Sequence, residues 1–172
     1  MAGARLGHNA ACPGCGLLLP ACTGPTHAYV GASPACWELY QGISAGRDLR
    51  ETGARLRRLV GDTYAAQHPG AHDRRALQSV AVHLMGLCVL LEGNGEDRRL
   101  TPVLGRMPPR RTLDLHWLTP PSPNGRLTIA DVVASGPEHG PSVEAWAKDV
   151  WRAWAPHHET VRGWLDVACV PS

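Results

Sequence analysis

Apolar positions recur at helical spacing through the middle and the C-terminal part of the chain. From about Arg74 to Glu92, Leu77, Val80, Ala81, Leu84, Leu87, Cys88 and Leu91 form an unbroken stripe, the strongest pattern present, which predicts the core helix. Before it, Leu56, Leu59, Val60, Thr63 and Gln67 share one face of a helix predicted from about Leu49 to Gln67, ended by Pro69-Gly70. Its inward stripe turns polar at the end. Ser33-Pro34 reads as an N-cap with proline at the first helical position, opening a helix through Cys36, Trp37, Leu39 and Tyr40 to about residue 45. Thr128 with Asp131 forms a capping box for a short helix ending near Gly136. Ser142 caps a helix with Val143, Trp146, Ala147, Val150, Trp151 and Trp154 on one face, and Pro156 starts a last one carrying Val161, Trp164, Leu165 and Ala168.

The remainder lacks helical spacing. Leu113 to Leu118 alternates enough for a short strand, and Gly93 to Arg111 is a Gly, Pro and Arg-rich connection. Residues 1–11, His8 included, read as a loose tail. Residues 12–33 are rich in Gly, Pro, Ser and Thr, and need a constraint other than apolar burial to be ordered. The expected architecture is mainly α: a small helical bundle over residues 34–172, a loop-rich, zinc-bound N-terminal arm over 1–33 packed on it, and at most one short β element.

Composition narrows the function classes. The chain has 172 residues, a formal net charge of +2 and 19% charged residues, with arginines mixed among acids, which is no footprint for nucleic acid. No run of about 18 uninterrupted apolar residues occurs and Met1 is not followed by an apolar leader, so neither a membrane span nor a signal peptide is expected. A cytoplasmic protein is expected, in which six cysteines are metal ligands or buried apolar groups rather than disulfide partners. Cys88 and Cys169 read as structural.

The arm supplies the first chemistry. Cys12-Pro-Gly-Cys15-Gly16 places two thiolates across a tight turn, the spacing of a zinc knuckle, and Cys36 in the first turn of a helix adds a third. His27 is the expected fourth ligand and Cys22 a spare. Four protein ligands make a closed, structural site; three plus water would leave an open zinc able to activate water, with Glu38 and His27 as the local acid or base.

A second constellation comprises Asp62, Gln67, His68, His83 and the pair His157-His158, since separate helices each bring a histidine to an end or edge of an apolar stripe. His83 lies roughly 90° from the centre of its stripe, flanked by the small residues Ser79 and Gly86 that would let a neighbouring helix or a ligand approach. The expectation is a polar pocket for a small molecule. If it is catalytic, His83 is the general base or a second-metal ligand, and Asp62 or Gln67 orients it. Arg162, Tyr64 and Gln78 are the candidate substrate contacts. The tryptophan series reads as core, and His72, His116 and His139 receive no role. GxGxxG after a strand, P-loop, HExxH and GxSxG motifs do not occur, which argues against nucleotide binding and the commonest hydrolases. The alternative is a zinc-stabilised interaction module, whose arm and Trp-rich helices bind a protein partner without catalysis.

The blocks Cys12-Pro-Gly-Cys-Gly, Gly24-Pro-Thr-His27, Gly31-Ala-Ser-Pro-Ala-Cys36-Trp37, Asp62-Thr-Tyr-Ala-Ala-Gln67-His68-Pro69, Gln78-Ser-Val-Ala-Val-His83-Leu and His157-His158 through Val161-Arg162 to Trp164 resemble a bacterial family of uncharacterised proteins defined by a domain of unknown function. The likeness covers nearly the whole chain. It implies that the Cys/His arm and the polar residues of the helices belong to one design, and that Cys22 lies outside the pattern; it brings no reaction with it.

Overall fold

The computed structural model describes residues 5–46, 53–93, 114–136 and 139–168. Its elements in chain order are strands β1 (Arg5–Ala11) and β2 (Leu18–Cys22), then helices α1 (Pro34–Ala45), α2 (Ala54–Gln67), α3 (Arg74–Glu92), α4 (Ile129–Ala134), α5 (Gly140–Ala153) and α6 (His158–Ala168), the last preceded by a 3-10 turn at Ala155–His157. The described residues are mainly α-helical, with a single two-stranded ribbon among them.

Local chemistry accounts for the helix ends. The Ser33 hydroxyl accepts from the Cys36 amide ahead of Pro34, and the Asp73 carboxylate accepts from the amides of Arg75 and Ala76. Thr128 and Asp131 close a reciprocal capping box. The stripe of α3 is buried at Val80, Ala81, Leu84, Leu87 and Cys88, together with Met85. It meets Leu59 and Val60 of α2, Val143, Trp146, Ala147 and Val150 of α5, and Val161, Trp164 and Leu165 of α6 in one apolar cluster that extends to Cys36 and Cys12. Helices α2 and α3 run antiparallel, Arg55 bonding the Leu90 carbonyl at one end and Asp62 meeting His83 further along. Among the described helices α3 alone is long and apolar enough, by length and composition, to cross a membrane, and it is mostly buried here.

Two expectations are corrected. The first eleven residues are not a loose tail from Arg5 onward: β1 pairs antiparallel with β2, with Ala11 opposite Leu18 and Asn9 opposite Pro20. The ribbon is largely exposed, so no alternation of apolar and polar residues marks it; the tight Cys12–Leu17 connection sets its register instead. The strand expected at Leu113–Leu118 is irregular chain from Asp114 on. Leu118 is buried, while Leu115 and Trp117 are only partly so. Leu113 itself, Leu49–52 of the longer second helix, residues 94–111 of the connection and Cys169 lie outside the described residues.

Candidate metal centre

Three elements converge on one point. The connection between β1 and β2 folds as a knuckle, with the Cys12 amide donating to the Leu17 carbonyl and the Gly16 amide to the Cys12 carbonyl, each at 2.9 Å. Gly16 takes φ 75°, which few residues with a side chain adopt. This turn presents the sulfurs of Cys12 and Cys15. The first turn of α1 adds Cys36. The chain just past the end of α2 adds His68, whose Nε2 lies 3.4 Å from Cys36 Sγ.

The four donor atoms lie within 4.8 Å of one another. Cys15 Sγ and Cys36 Sγ are 3.9 Å apart. A tetrahedral ion with metal–sulfur bonds of about 2.3 Å and a metal–nitrogen bond of about 2.0 Å would put sulfurs about 3.8 Å apart and nitrogen about 3.5 Å from sulfur. The Cys15–Cys36 and Cys36–His68 spacings match that geometry.

The surroundings orient each donor. His68 Nδ1 sits 2.7 Å from the Tyr64 carbonyl, so it carries a proton and points Nε2 toward the sulfurs. The Ser33 amide donates to Cys12 Sγ at 3.3 Å, and the Tyr64 hydroxyl to Cys36 Sγ at 3.5 Å. The loop before α1 is tied to the same end of α2, because the Gly31 amide donates to the His68 carbonyl and Val30 bridges to Pro69. Gly14 allows a close approach: a Cβ there would lie 2.6 Å from His68 Cδ2. Cys12 is 2% exposed, while Cys36 and His68 are fully buried.

Electrostatics follow from this crowding. Hydrogen bonds from the Cys15 and Cys36 thiols pull the Cys12 pKa far down, whereas Cys36, sharing hydrogen bonds with Cys12 and then Cys15 in a buried site, is pushed far up. Burial disfavours a charged His68, but the sulfurs of Cys12 and Cys15 outweigh it and raise the ring to about 9. Burial, reinforced by Cys36, raises the Tyr64 phenol.

His27 is not in the group. It is exposed, its Nδ1 accepts from the Tyr29 amide at 3.3 Å, and its ring packs on Tyr29 and Trp37. The fourth donor is instead His68, placed in the second constellation by sequence reading. The signal that could have found it is local: Tyr64 and His68 are spaced i, i+4, and His68 precedes a proline that stops the helix, leaving it at a helix end where an arm can dock. Cys22 is a free, half-buried thiol on β2, and Glu38 is exposed on α1.

The remaining members of the expected pocket sit in separate places. Gln67 is fully buried and committed: its Nε2 donates to the carbonyls of Asn124 and Leu127, each at 2.8 Å, and its Oε1 accepts from Trp146 Nε1 at 3.0 Å. It staples the 124–127 loop and α5 to α2. Asp62 and His83 face each other at the α2–α3 interface. His157 bonds the Thr119 carbonyl, and His158 bonds the Trp151 carbonyl while stacking on the Trp151 ring at 3.8 Å. Arg162 makes a two-fold bond to Glu92, both contacts at 2.8 Å. Tyr64 is sealed beneath the metal centre, and Gln78 is half-buried on α3. His72 stacks on Trp117, His116 meets Trp164 edge-on, and His139 bonds the Val132 carbonyl. Trp146 and Trp154 are fully buried core.

Comparison with curated proteins and with solved structures finds no match. A family described as a family of unknown function (DUF5946) matches residues 10–155, a span that takes in all four donor residues and the facing Asp62 and His83. The chain therefore belongs to the DUF5946 family.

Proposed function

We propose that Cys12, Cys15, Cys36 and His68 hold one zinc ion in a closed, structural site that fastens the N-terminal ribbon and the loop before α1 to the end of α2. The observation that carries this reading is the donor set: three sulfurs and one imidazole within 4.8 Å of one another, with the Cys15–Cys36 and Cys36–His68 spacings close to those of a tetrahedral ion. Soft sulfur donors with one imidazole suit zinc better than hard, oxygen-seeking cations. Protein donors fill all four positions, which leaves no coordination site for substrate. The ion supplies cross-linking of the arm. The chain's own residues provide the rest: Tyr64 fixes the His68 tautomer, the Ser33 amide tempers the Cys12 charge, and Gly14 lets the knuckle close over the ring.

This reading also places the protein in the reducing cytoplasm, where free thiols persist as ligands. It argues against a tryptophan-faced docking surface, because Trp146 and Trp154 are used up inside the core. The test is X-ray absorption at the zinc edge on protein purified without chelator. Three sulfur ligands and one nitrogen, with no bound oxygen, are expected; a site with an oxygen ligand, or no stoichiometric zinc, would overturn the proposal.

A further inference from the structure

A second cluster lies at the α2–α3 interface, away from the four metal donors. The Asp62 carboxylate is 1% exposed. Its Oδ2 accepts from Arg58 Nε at 2.7 Å, and its Oδ1 lies 2.7 Å from His83 Nδ1. Gly86 makes room for it: a Cβ there would overlap Oδ2 and stand 2.8 Å from Cγ. The small residue beside His83 thus admits the neighbouring helix.

The charges are arranged asymmetrically. Arg58 already balances the carboxylate, so the histidine need not be cationic to satisfy it. In its neutral form the ring donates Nδ1–H to Asp62 and presents the Nε2 lone pair. Among the described residues no hydrogen bond reaches Nε2, and the His83 side chain is 28% exposed. Arg58 has spare capacity as well. Its Nη2 is buried and has no acceptor among the described residues, a condition that costs free energy until an oxygen reaches it. A carboxylate-oriented imidazole with a free outer nitrogen, beside a guanidinium lacking an acceptor, is the layout of an acid–base site with an anion seat.

We propose that Asp62, His83 and Arg58 form an acid–base site for a small substrate bearing a carboxylate or phosphate. The guanidinium of Arg58 holds the substrate oxyanion. His83 Nε2 takes a proton from an acidic X–H group of the substrate: the N–H bond forms, the X–H bond breaks, its electron pair stays on X, and the proton returns from Nε2 at a later step. Asp62 remains ionised throughout, a positioning residue that fixes the tautomer and stabilises the imidazolium. The site does not depend on the zinc reading.

The test is nitrogen NMR on the full-length protein as purified, with labelled histidine and arginine side chains, at mildly alkaline pH. His83 is expected to carry its proton on Nδ1. Asp62→Asn is expected to move it to Nε2, because Arg58 will hold the amide oxygen and leave the amide N–H₂ facing the ring. Inorganic phosphate and acetate, titrated separately, distinguish the two oxyanion classes. At least one should shift His83 Nε2 and Arg58 Nε saturably, and Arg58→Lys, which keeps the charge but loses the fork, should weaken that binding about tenfold. A wild-type ring protonated on Nε2, or signals unmoved by both anions, overturns the proposal. A cooperative unfolding transition followed by circular dichroism reports that each variant is folded, and the wild-type titrations decide the matter even if Asp62→Asn does not fold.

Discussion

Gly14→Ala tests the metal centre without removing a ligand. The added Cβ would lie 2.6 Å from His68 Cδ2, 2.8 Å from His68 Cα and 2.9 Å from the Gly31 carbonyl oxygen. Two of those three neighbours are backbone, so no rotamer change relieves the overlap. The Gly31 segment cannot simply retreat, since its amide is bonded to the His68 carbonyl at 2.9 Å. Relief requires the knuckle to lift off the end of α2, which draws Cys12 and Cys15 away from the imidazole. Overpacking of this kind costs about 1–3 kcal/mol. Borne wholly by the metal-bound state, it lowers metal affinity roughly 5- to 150-fold, at tenfold per 1.4 kcal/mol. The assay is competition for zinc against a chromophoric chelator at neutral pH. Gly42→Ala is the control, because a Cβ in α1 there meets nothing within 4 Å. Unchanged affinity in Gly14→Ala, or an equal loss in Gly42→Ala, would refute the reasoning.

Gly86→Ala should destabilise the fold by about 1–3 kcal/mol through overlap with Asp62, against a helix-propensity gain of about 1 kcal/mol; chemical denaturation showing a more stable variant would contradict the packing described. Gln67→Leu strands the Trp146 indole N–H and removes the donor to the Asn124 and Leu127 carbonyls, so a loss of about 2–5 kcal/mol with metal content intact is expected in denaturant titration. Glu92 is held down to about 2, first by Arg162 and then by the Trp151 indole. Its folded-state value lies below the unfolded one, so the contribution is full above about pH 4.3 and fades as pH falls toward 2. The stability gap between wild type and Arg162→Ala, small for so exposed a pair, should therefore close over that window, and a gap that widened on acidification would be the wrong sign.

The helices were legible because burial imposes a period on them. The stripe of α3 and the cap at Asp73 act within a few residues, and α3 runs from Arg74 to Glu92 as its pattern indicates. The capping box at Thr128 is equally local. The ribbon β1–β2 was not legible, since neither face is consistently buried and the turn, not apolar alternation, sets the register. The candidate metal centre was legible in three of its four donors. CPGC spacing and a cysteine in the first turn of a helix identify three donors from sequence distance alone, but the fourth lies 32 residues beyond Cys36 and is chosen by how α2 packs on the knuckle. His27, nearer in sequence, turns outward onto Tyr29 and Trp37. The shared histidine pocket failed for a related reason: helical phase places a histidine at the edge of a stripe but does not say which neighbour that edge meets. Asp62 and His83 did meet, with the close approach at Gly86 that the small residues beside His83 allow. Arg58, part of the same cluster, has no motif to mark it.

The most direct measurement is zinc per chain by elemental analysis on protein purified without chelator, for wild type, His27→Ala and His68→Ala. One zinc in wild type, retained in His27→Ala and lost or made readily chelatable in His68→Ala, is the outcome the proposed centre predicts. Zinc lost with His27 and kept with His68, or none in the wild type, would contradict the centre described here.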